Sequence, residues 1–232
     1  HRDLHSFPTR RSSDLHTHIL PNVDDGSKSL EESIELLRSE VNNGVTTVIL
    51  TPHQNARIKT KNELIKRFLE FKKEIDFIDL YLGSEIYYYD DLIADLVNDR
   101  VLTINNSKYV LVEFSTRTET NIADIVYEIV LKGFKPIIAH IERYPYLTLE
   151  NYLAIKNNGG LIQINASSYE DKYFKKKTKI LLKNKLVDFV ASDCHNTKTR
   201  NVDFSNIKKV VEKKYKDRSE ERRVGKECRS RW

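Results

Sequence analysis

The sequence predicts an α/β fold, a distorted TIM-like (β/α)7 barrel, on three observations. Short runs rich in Val, Ile, Leu and aromatic residues alternate with amphipathic stretches of about 10–16 residues. Seven such runs joined through helices call for a parallel sheet with crossover connections. Five histidines and three carboxylates fall at or just past the C-terminal ends of those runs, where a parallel barrel opens its mouth.

The strand candidates are residues 14–19, 45–51, 79–86, 109–114, 136–140, 160–165 and 187–192. After the first comes SLEESIELLRSEVNN, a helix with Ser29 as N-cap and Glu32 three residues on as a capping box. Ile34, Leu37 and Val41 share one face of it, and Gly44 ends it. Residues 121–132 before Gly133, 148–158 before Gly159, and 172–185 repeat the order of helix, stop and strand. The lysine run from Lys175 to Lys179 reads as a solvated helix face. No repeat and no long Pro/Gly/Ser linker divides residues 14–217, so they read as a single domain.

The 232 residues carry a net charge of +5, which first points to nucleic acid. Its distribution points away. Residues 14–217 hold 23 Lys and 7 Arg against 30 Asp and Glu, and are neutral. The excess lies in 1–13 and 218–232, which are rich in Arg and Ser while the body is rich in Lys, Asn, Ile and Tyr. With no Met in the chain, these flanks are expected to be non-native, resembling translated sequencing-adapter read-through, and the body to be C-terminally truncated. Nucleic acid is therefore not expected as a partner. No apolar run reaches the roughly 18–20 residues of a membrane span. Two cysteines, Cys194 and Cys228, make no disulfide framework, so a cytoplasmic location is expected.

His16 and His18 stand in DLHTHIL, His53 in ILTPH, His140 in IIAHIER and His195 in VASDCH. Glu85 in LGSEI, Glu113 in LVEFS and Asp193 in VASD take the same station. Side chains two apart on a strand share a face, so His16 and His18 can reach one ion. His and carboxylate donors without thiolate suit Mn, Fe or Zn, and clustered ions suit phosphate ester hydrolysis. Arg143 and Arg200 are candidates for neutralising the phosphoryl oxygens, since a guanidinium fork matches them better than an ammonium. Cys194 and Arg200 also fit C-x5-R, the pattern of thiolate phosphatases. The intervening HNTKT has no Gly, and Asp193 would raise the thiol pKa, so this match reads as chance.

DLHTHILPNVDDGSKS, TPH, GSE, EF, HIER and VASDCHN-x3-R together resemble the polymerase-and-histidinol-phosphatase (PHP) superfamily. Within it, they are similar to the bacterial manganese-dependent tyrosine phosphatases encoded with capsular and exopolysaccharide genes. The resemblance covers residues 14–215, departs at Cys194 where a small residue is expected, and implies a barrel of the PHP type. It implies up to three divalent ions, manganese by family habit. His16, His18, Glu85 and Asp193 would hold one, Glu85, Glu113 and His140 a second, and His53 and His195 with Asp24 a third. Asp25 is the alternative to Asp24, which the eight-residue offset from His16 favours. The implied partner is a phosphotyrosine protein, the tyrosine-rich tail of a bacterial kinase. Two other readings stay open: a phosphatase of a small metabolite such as histidinol phosphate, and a non-catalytic binding module on a degenerate barrel. Tyr87, Tyr88 and Tyr89 either wall a cleft for an aromatic substrate or pack as strand and loop.

Overall fold

A computed structural model describes residues 12–55 and 59–214. The flanks 1–13 and 218–232 lie outside the described residues, apart from Ser12 and Ser13, which open the first strand. Cys228 lies outside them too.

Among the described residues, nine parallel strands form two sheets. In the first, β1 (Ser12–Thr17) pairs with β2 (Val45–Leu50), and β2 with β4 (Asp79–Leu82). The second runs β3 (His53–Gln54), β5 (Glu85–Tyr87), β6 (Tyr109–Glu113), β7 (Lys135–Ile138), β8 (Leu161–Asn165) and β9 (Phe189–Ala191). The described residues form seven α-helices: α1 (Leu30–Asn42), α2 (Lys61–Lys72), α3 (Leu92–Val97), α4 (Ile122–Leu131), α5 (Leu149–Asn157), α6 (Lys175–Lys183) and α7 (Ser205–Lys214).

The run 79–86, expected as one strand, breaks in two and changes sheet at Gly83 and Ser84. Gly83 N–H donates to Leu50 O at 2.8 Å, as a continuation of β4 would. A Cβ at Gly83 would lie 2.9 Å from Ile104 Cδ1 and 3.2 Å from Ile104 Cα, a tight passage that glycine makes without a shift. Glu85 N–H then turns to Pro52 O at 3.1 Å and starts β5 beside β3.

The sheets also meet between β1 and β9. Asp193 N–H donates to His16 O and His18 N–H to Cys194 O, both at 2.9 Å. Below them the buried Asp14 carboxylate accepts from Ser192 N–H at 3.0 Å and from His16 N–H at 3.2 Å. One apolar cluster draws on both sheets, with Leu15 and Ile49 from the first and Leu111, Ile137, Phe189 and Ala191 from the second. It lies beneath the strand ends. Larger clusters fill the spaces between strands and helices.

Helix α1 departs from its expected face. Ser33, Leu36, Leu37 and Glu40 are buried, whereas Val41 is 41% exposed. The cause is polar. Ser33 Oγ donates to Ile19 O at 2.7 Å, and Glu40 Oε1 meets Ser192 Oγ at 3.4 Å in the interior. Ser29 caps the helix by accepting from Glu32 N–H at 3.2 Å, but the Glu32 carboxylate takes Lys28 N–H rather than that of the cap. Helix α2, whose capping box pairs Thr60 with Glu63, and the short α3 add to the helices expected. Lys175, Lys176 and Lys179 are exposed as expected of a solvated face, while Lys177 turns inward to Tyr144 O. No helix of the described residues is long and apolar enough to cross a membrane.

Candidate metal centre

The expected site residues reach one place because the strands are parallel. Glu113 ends β6, His140 and Asp193 stand two residues past β7 and β9, and His53 and Glu85 stand three residues past the C-terminal ends of β2 and β4, where they open the short β3 and β5. His140 and Asp193 adopt left-handed backbone, with φ of 30° and 53°. For residues with a Cβ this costs about 1–2 kcal/mol each. The turn aims their side chains back over the strand ends.

Glu85 is the hub. Its Oε2 lies 3.1 Å from His18 Nε2, 3.3 Å from His16 Nε2 and 3.2 Å from His53 Nδ1. Its Oε1 lies 3.0 Å from His140 Nε2, which is 3.6 Å from Glu113 Oε1. His16 Nε2 and His18 Nε2 stand 3.2 Å apart and 3.4 and 3.6 Å from Asp193 Oδ1. Donors sharing one ion at about 2.0–2.2 Å are separated by about this much, whereas lone pairs facing each other with no cation or proton between them repel. The buried atoms Asp193 Oδ1 and His195 Nε2 have no hydrogen-bond partner. Buried carboxylates need compensating cations, so the donor set fits divalent metal. His16, His18 and Glu85 form one candidate group. His16, His140 and Asp193 form another, as do His53, Glu85 and Glu113, and His18, Asp25, His53 and His195.

The loop after His18 folds back because Gly26 has no side chain: a Cβ there would lie 2.0 Å from His18 O. Ser27 N–H donates to that oxygen at 3.0 Å. The fold-back separates the two neighbouring aspartates. Asp24 Oδ2 meets His18 Nδ1 at 2.7 Å and accepts His53 N–H at 2.9 Å, while Oδ1 accepts Gly26 N–H at 2.9 Å. Both its oxygens are committed. Asp25 Oδ1 instead faces His53 Nε2 at 3.4 Å and His195 Nε2 at 3.5 Å, the position the sequence offset favours for Asp24.

Electrostatics follow from this crowding. Burial opposes charge on His18, but Asp24 and Glu85 outweigh it and push its pKa up to about 10. Burial likewise opposes charge on His16, and Glu85 and Asp193 push it up to about 8. Burial and the neighbouring His18 drive His195 down to about 3. Glu85 is held well below the usual carboxylate range against its burial, by His16, His140 and His18. Burial and the nearby Glu85 raise Glu113.

Both expected arginines grip the outer oxygen of Asp193. Arg200 Nη2 lies 2.7 Å and Arg143 Nη1 3.4 Å from Asp193 Oδ2. Each remains partly exposed at the rim. Cys194 does not join Arg200: its thiol is buried, lies 3.8 Å from Glu40 Oε1, and is pushed up by burial and by Glu40 and Asp14. A thiolate mechanism has no geometry here.

Of the three tyrosines, Tyr88 stacks on Phe114 and Tyr89 donates to Asp95 Oδ2. Only Tyr87 faces the rim. It lines an open cavity of about 330 Å³ with His53, Gln54, Asn55, Lys59 and Glu113. Two polar residues outside the expected set also enter the site, Gln163 and Asn165 on β8. Their signal in the sequence is the polar alternation at the end of LIQIN.

The family model for capsular polysaccharide synthesis, CpsB/CapC, matches residues 12–227. Tyrosine-protein phosphatase CpsB of Streptococcus agalactiae is 34% identical over 215 residues, covering 85% of this chain and 88% of its own. Tyrosine-protein phosphatase YwqE of Bacillus subtilis is 34% identical over 217 residues, covering 87% and 84%. A chain from the crystal structures of YwqE from B. subtilis and CpsB from Streptococcus pneumoniae, unique metal-dependent tyrosine phosphatases, aligns with a TM-score of 0.82. It is 29% identical and covers 93% of this chain and 92% of its own. Histidinol phosphate phosphatase from Lactococcus lactis shares the fold, with a TM-score of 0.56 at 12% identity over 88% of this chain and 94% of its own. The chain belongs to the CpsB/CapC family of capsular polysaccharide synthesis proteins.

Proposed function

We propose that this chain is a metal-dependent phosphatase that hydrolyses phosphotyrosine on protein. Its substrate is a cognate bacterial tyrosine kinase, and the reaction regulates capsular or exopolysaccharide synthesis in the cytoplasm. One observation carries the reading: five histidines and four carboxylates converge around Glu85 with two guanidinium groups at the rim. Relatives 34% identical to the chain are tyrosine-protein phosphatases.

Up to three divalent ions, manganese ahead of iron or zinc, are assigned to His16, His18, Asp25, His53, Glu85, Glu113, His140, Asp193 and His195, with Asp24 orienting His18. When bound, the ions supply Lewis acidity and bring the pKa of water towards neutrality. Arg143 and Arg200 hold the phosphoryl oxygens at the rim and neutralise charge as it develops. Tyr87 walls the side where the substrate ring enters. The leaving phenolate, with a pKa of about 10, needs little help from an acid. We also read the two sheets as one distorted PHP-type barrel. The hydrogen bonds between β1 and β9 and the apolar cluster drawn from both sheets support that.

A comparison of phosphate release from phosphotyrosine peptide and from histidinol phosphate, each with Mn²⁺, tests the substrate. Preference for the peptide supports the reading, and preference for histidinol phosphate replaces it.

A further inference from the structure

In the six-stranded sheet, β8 alone brings no candidate metal donor to the site. It brings two buried amides, Gln163 and Asn165, two residues apart and so on one face. Gln163 Oε1 accepts His140 N–H at 2.7 Å and lies 3.1 Å from His16 Nδ1. Gln163 Nε2 donates to Asn165 Oδ1 at 2.9 Å, and Asn165 Nδ2 donates to Asp193 Oδ2 at 2.7 Å.

The polarity of this chain is determined at both ends. A backbone N–H can only donate, so the Gln163 oxygen must face His140, and its NH2 group must face Asn165. A carboxylate can only accept, so the Asn165 NH2 group must face Asp193. Neither amide can flip without setting donor against donor or acceptor against acceptor. At the branch, His16 Nδ1 meets an acceptor and must carry the proton. In neutral His16 the lone pair is then on Nε2, the atom 3.3 Å from Glu85 and 3.2 Å from His18 Nε2. At the far end, Asn165 and Arg200 occupy Asp193 Oδ2, which leaves Oδ1 to face the cluster.

We propose that Gln163 and Asn165 are positioning residues: a directional amide relay on β8 that selects the Nδ1–H tautomer of His16 and the rotamer of Asp193, presetting both for metal. The proposal rests on the reading of this cluster as a metal centre. It assigns β8 a role although β8 supplies no donor. His18 is served differently, by the Asp24 carboxylate at 2.7 Å, so the two histidines of one motif are oriented by separate partners.

The test is Mn²⁺ binding to metal-free protein by calorimetry, paired with long-range ¹H–¹⁵N spectra of the Zn²⁺-loaded protein, which report the tautomer of each histidine. Gln163→Leu removes the acceptor and is expected to weaken Mn²⁺ binding by about 10–100-fold, with His16 losing its single tautomer. Gln163→Glu retains an oxygen for His16 but loses the NH2 group that Asn165 Oδ1 accepts from, so it is expected to recover His16's Nδ1–H tautomer while leaving Mn²⁺ affinity lowered by about tenfold. Should Gln163→Leu fail to fold, Asn165→Ser cuts the relay one link later. Its expected result is Mn²⁺ affinity lowered by about tenfold with the His16 tautomer retained. Wild-type affinity and tautomer in Gln163→Leu, or a His16 tautomer lost in Gln163→Glu as it is in Gln163→Leu, would overturn the relay, as would unchanged affinity in Asn165→Ser. Wild-type protein that binds Mn²⁺ but spares phosphotyrosine defeats the catalytic reading and leaves the relay standing. Wild-type protein that binds no Mn²⁺ defeats both.

Discussion

Asp24 Oδ2 meets His18 Nδ1 at 2.7 Å, and that contact leaves Asp25 as the loop carboxylate facing His53 and His195. The two aspartates are adjacent in sequence and differ in work. Asp25→Ala is expected to lower the metal content of dialysed protein by about one ion per chain, since it deletes a donor. Asp24→Ala is expected to keep the full count while weakening affinity by about 10–100-fold, since it frees the His18 ring. Metal analysis after graded dialysis separates the two. The reverse assignment of these effects would return Asp24 to the ligand set.

Metal binding is expected to release protons. Below a pKa of about 8 for His16 and about 10 for His18, both rings hold a proton in metal-free protein. Metal must displace those protons, so apparent affinity rises as pH rises from 6 to 9, by about tenfold per unit for each proton lost. The stability of the metal-free protein runs the other way. Folded-state pKa values above the ordinary 6.5 contribute stability that is complete below 6.5 and lost as pH passes through about 8 and about 10. Calorimetry in two buffers of different ionisation enthalpy counts the protons. A count near zero at pH 7 contradicts the charge state described.

Glu40 tests the interior away from the metal centre. Its carboxyl is pushed well up by burial and by Asp14, which burial also raises. A raised carboxyl pKa gives stability that is present at low pH and lost as pH climbs through the folded-state value. Glu40→Gln keeps the shape and removes one charge, so its Tm is expected to exceed wild type at pH 8–9 and to converge with it near pH 5. About 1 kcal/mol of relief corresponds to about 2–4 °C in a domain of this size. Parallel Tm profiles across that pH range would contradict the buried acid pair.

The histidines and carboxylates were legible because they punctuate apolar runs. His16, His53, Glu85, Glu113, His140 and Asp193 each sit near or just past the C-terminal end of an expected strand, and parallel topology carries such positions to one mouth. The rest depended on contacts that sequence patterns do not encode. Asp25 stays exposed yet faces His53 and His195 because the loop folds back where Gly26 lies against His18 O, a meeting of backbone with backbone. The run 79–86 breaks at Gly83 and Ser84, where Ile104, far along the chain, lies close against the backbone. The buried face of α1 was read from Ile34, Leu37 and Val41, since periodicity counts apolar residues. Glu40 is buried because Asp14 and Ser192 wait beneath it. The polar alternation of LIQIN puts Gln163 and Asn165 on one strand face, but not beside His16 and Asp193, which lie far off in sequence.

Arg143 and Arg200 share Asp193 but at different distances, 3.4 and 2.7 Å. Arg143→Ala is expected to lower kcat by about 10²–10³ with metal affinity nearly unchanged, as for the loss of one preorganised donor to the transition state. Arg200→Ala is expected to lower kcat and also to weaken metal, because it releases Asp193. Lys at either position keeps the charge and loses the fork, and should recover only part of the rate. Rates and Mn²⁺ affinity measured together decide between shared and separate roles.

The central claim is that this cluster hydrolyses phosphotyrosine with the help of metal. Its most direct test is the initial rate of phosphate release from a phosphotyrosine peptide as Mn²⁺ is returned to metal-depleted protein, beside His140→Ala. The account predicts no rate without metal, a rise that saturates with Mn²⁺, and a flat response in His140→Ala. A rate that survives EDTA but is abolished by iodoacetamide, or equal rates in wild type and His140→Ala, would contradict it.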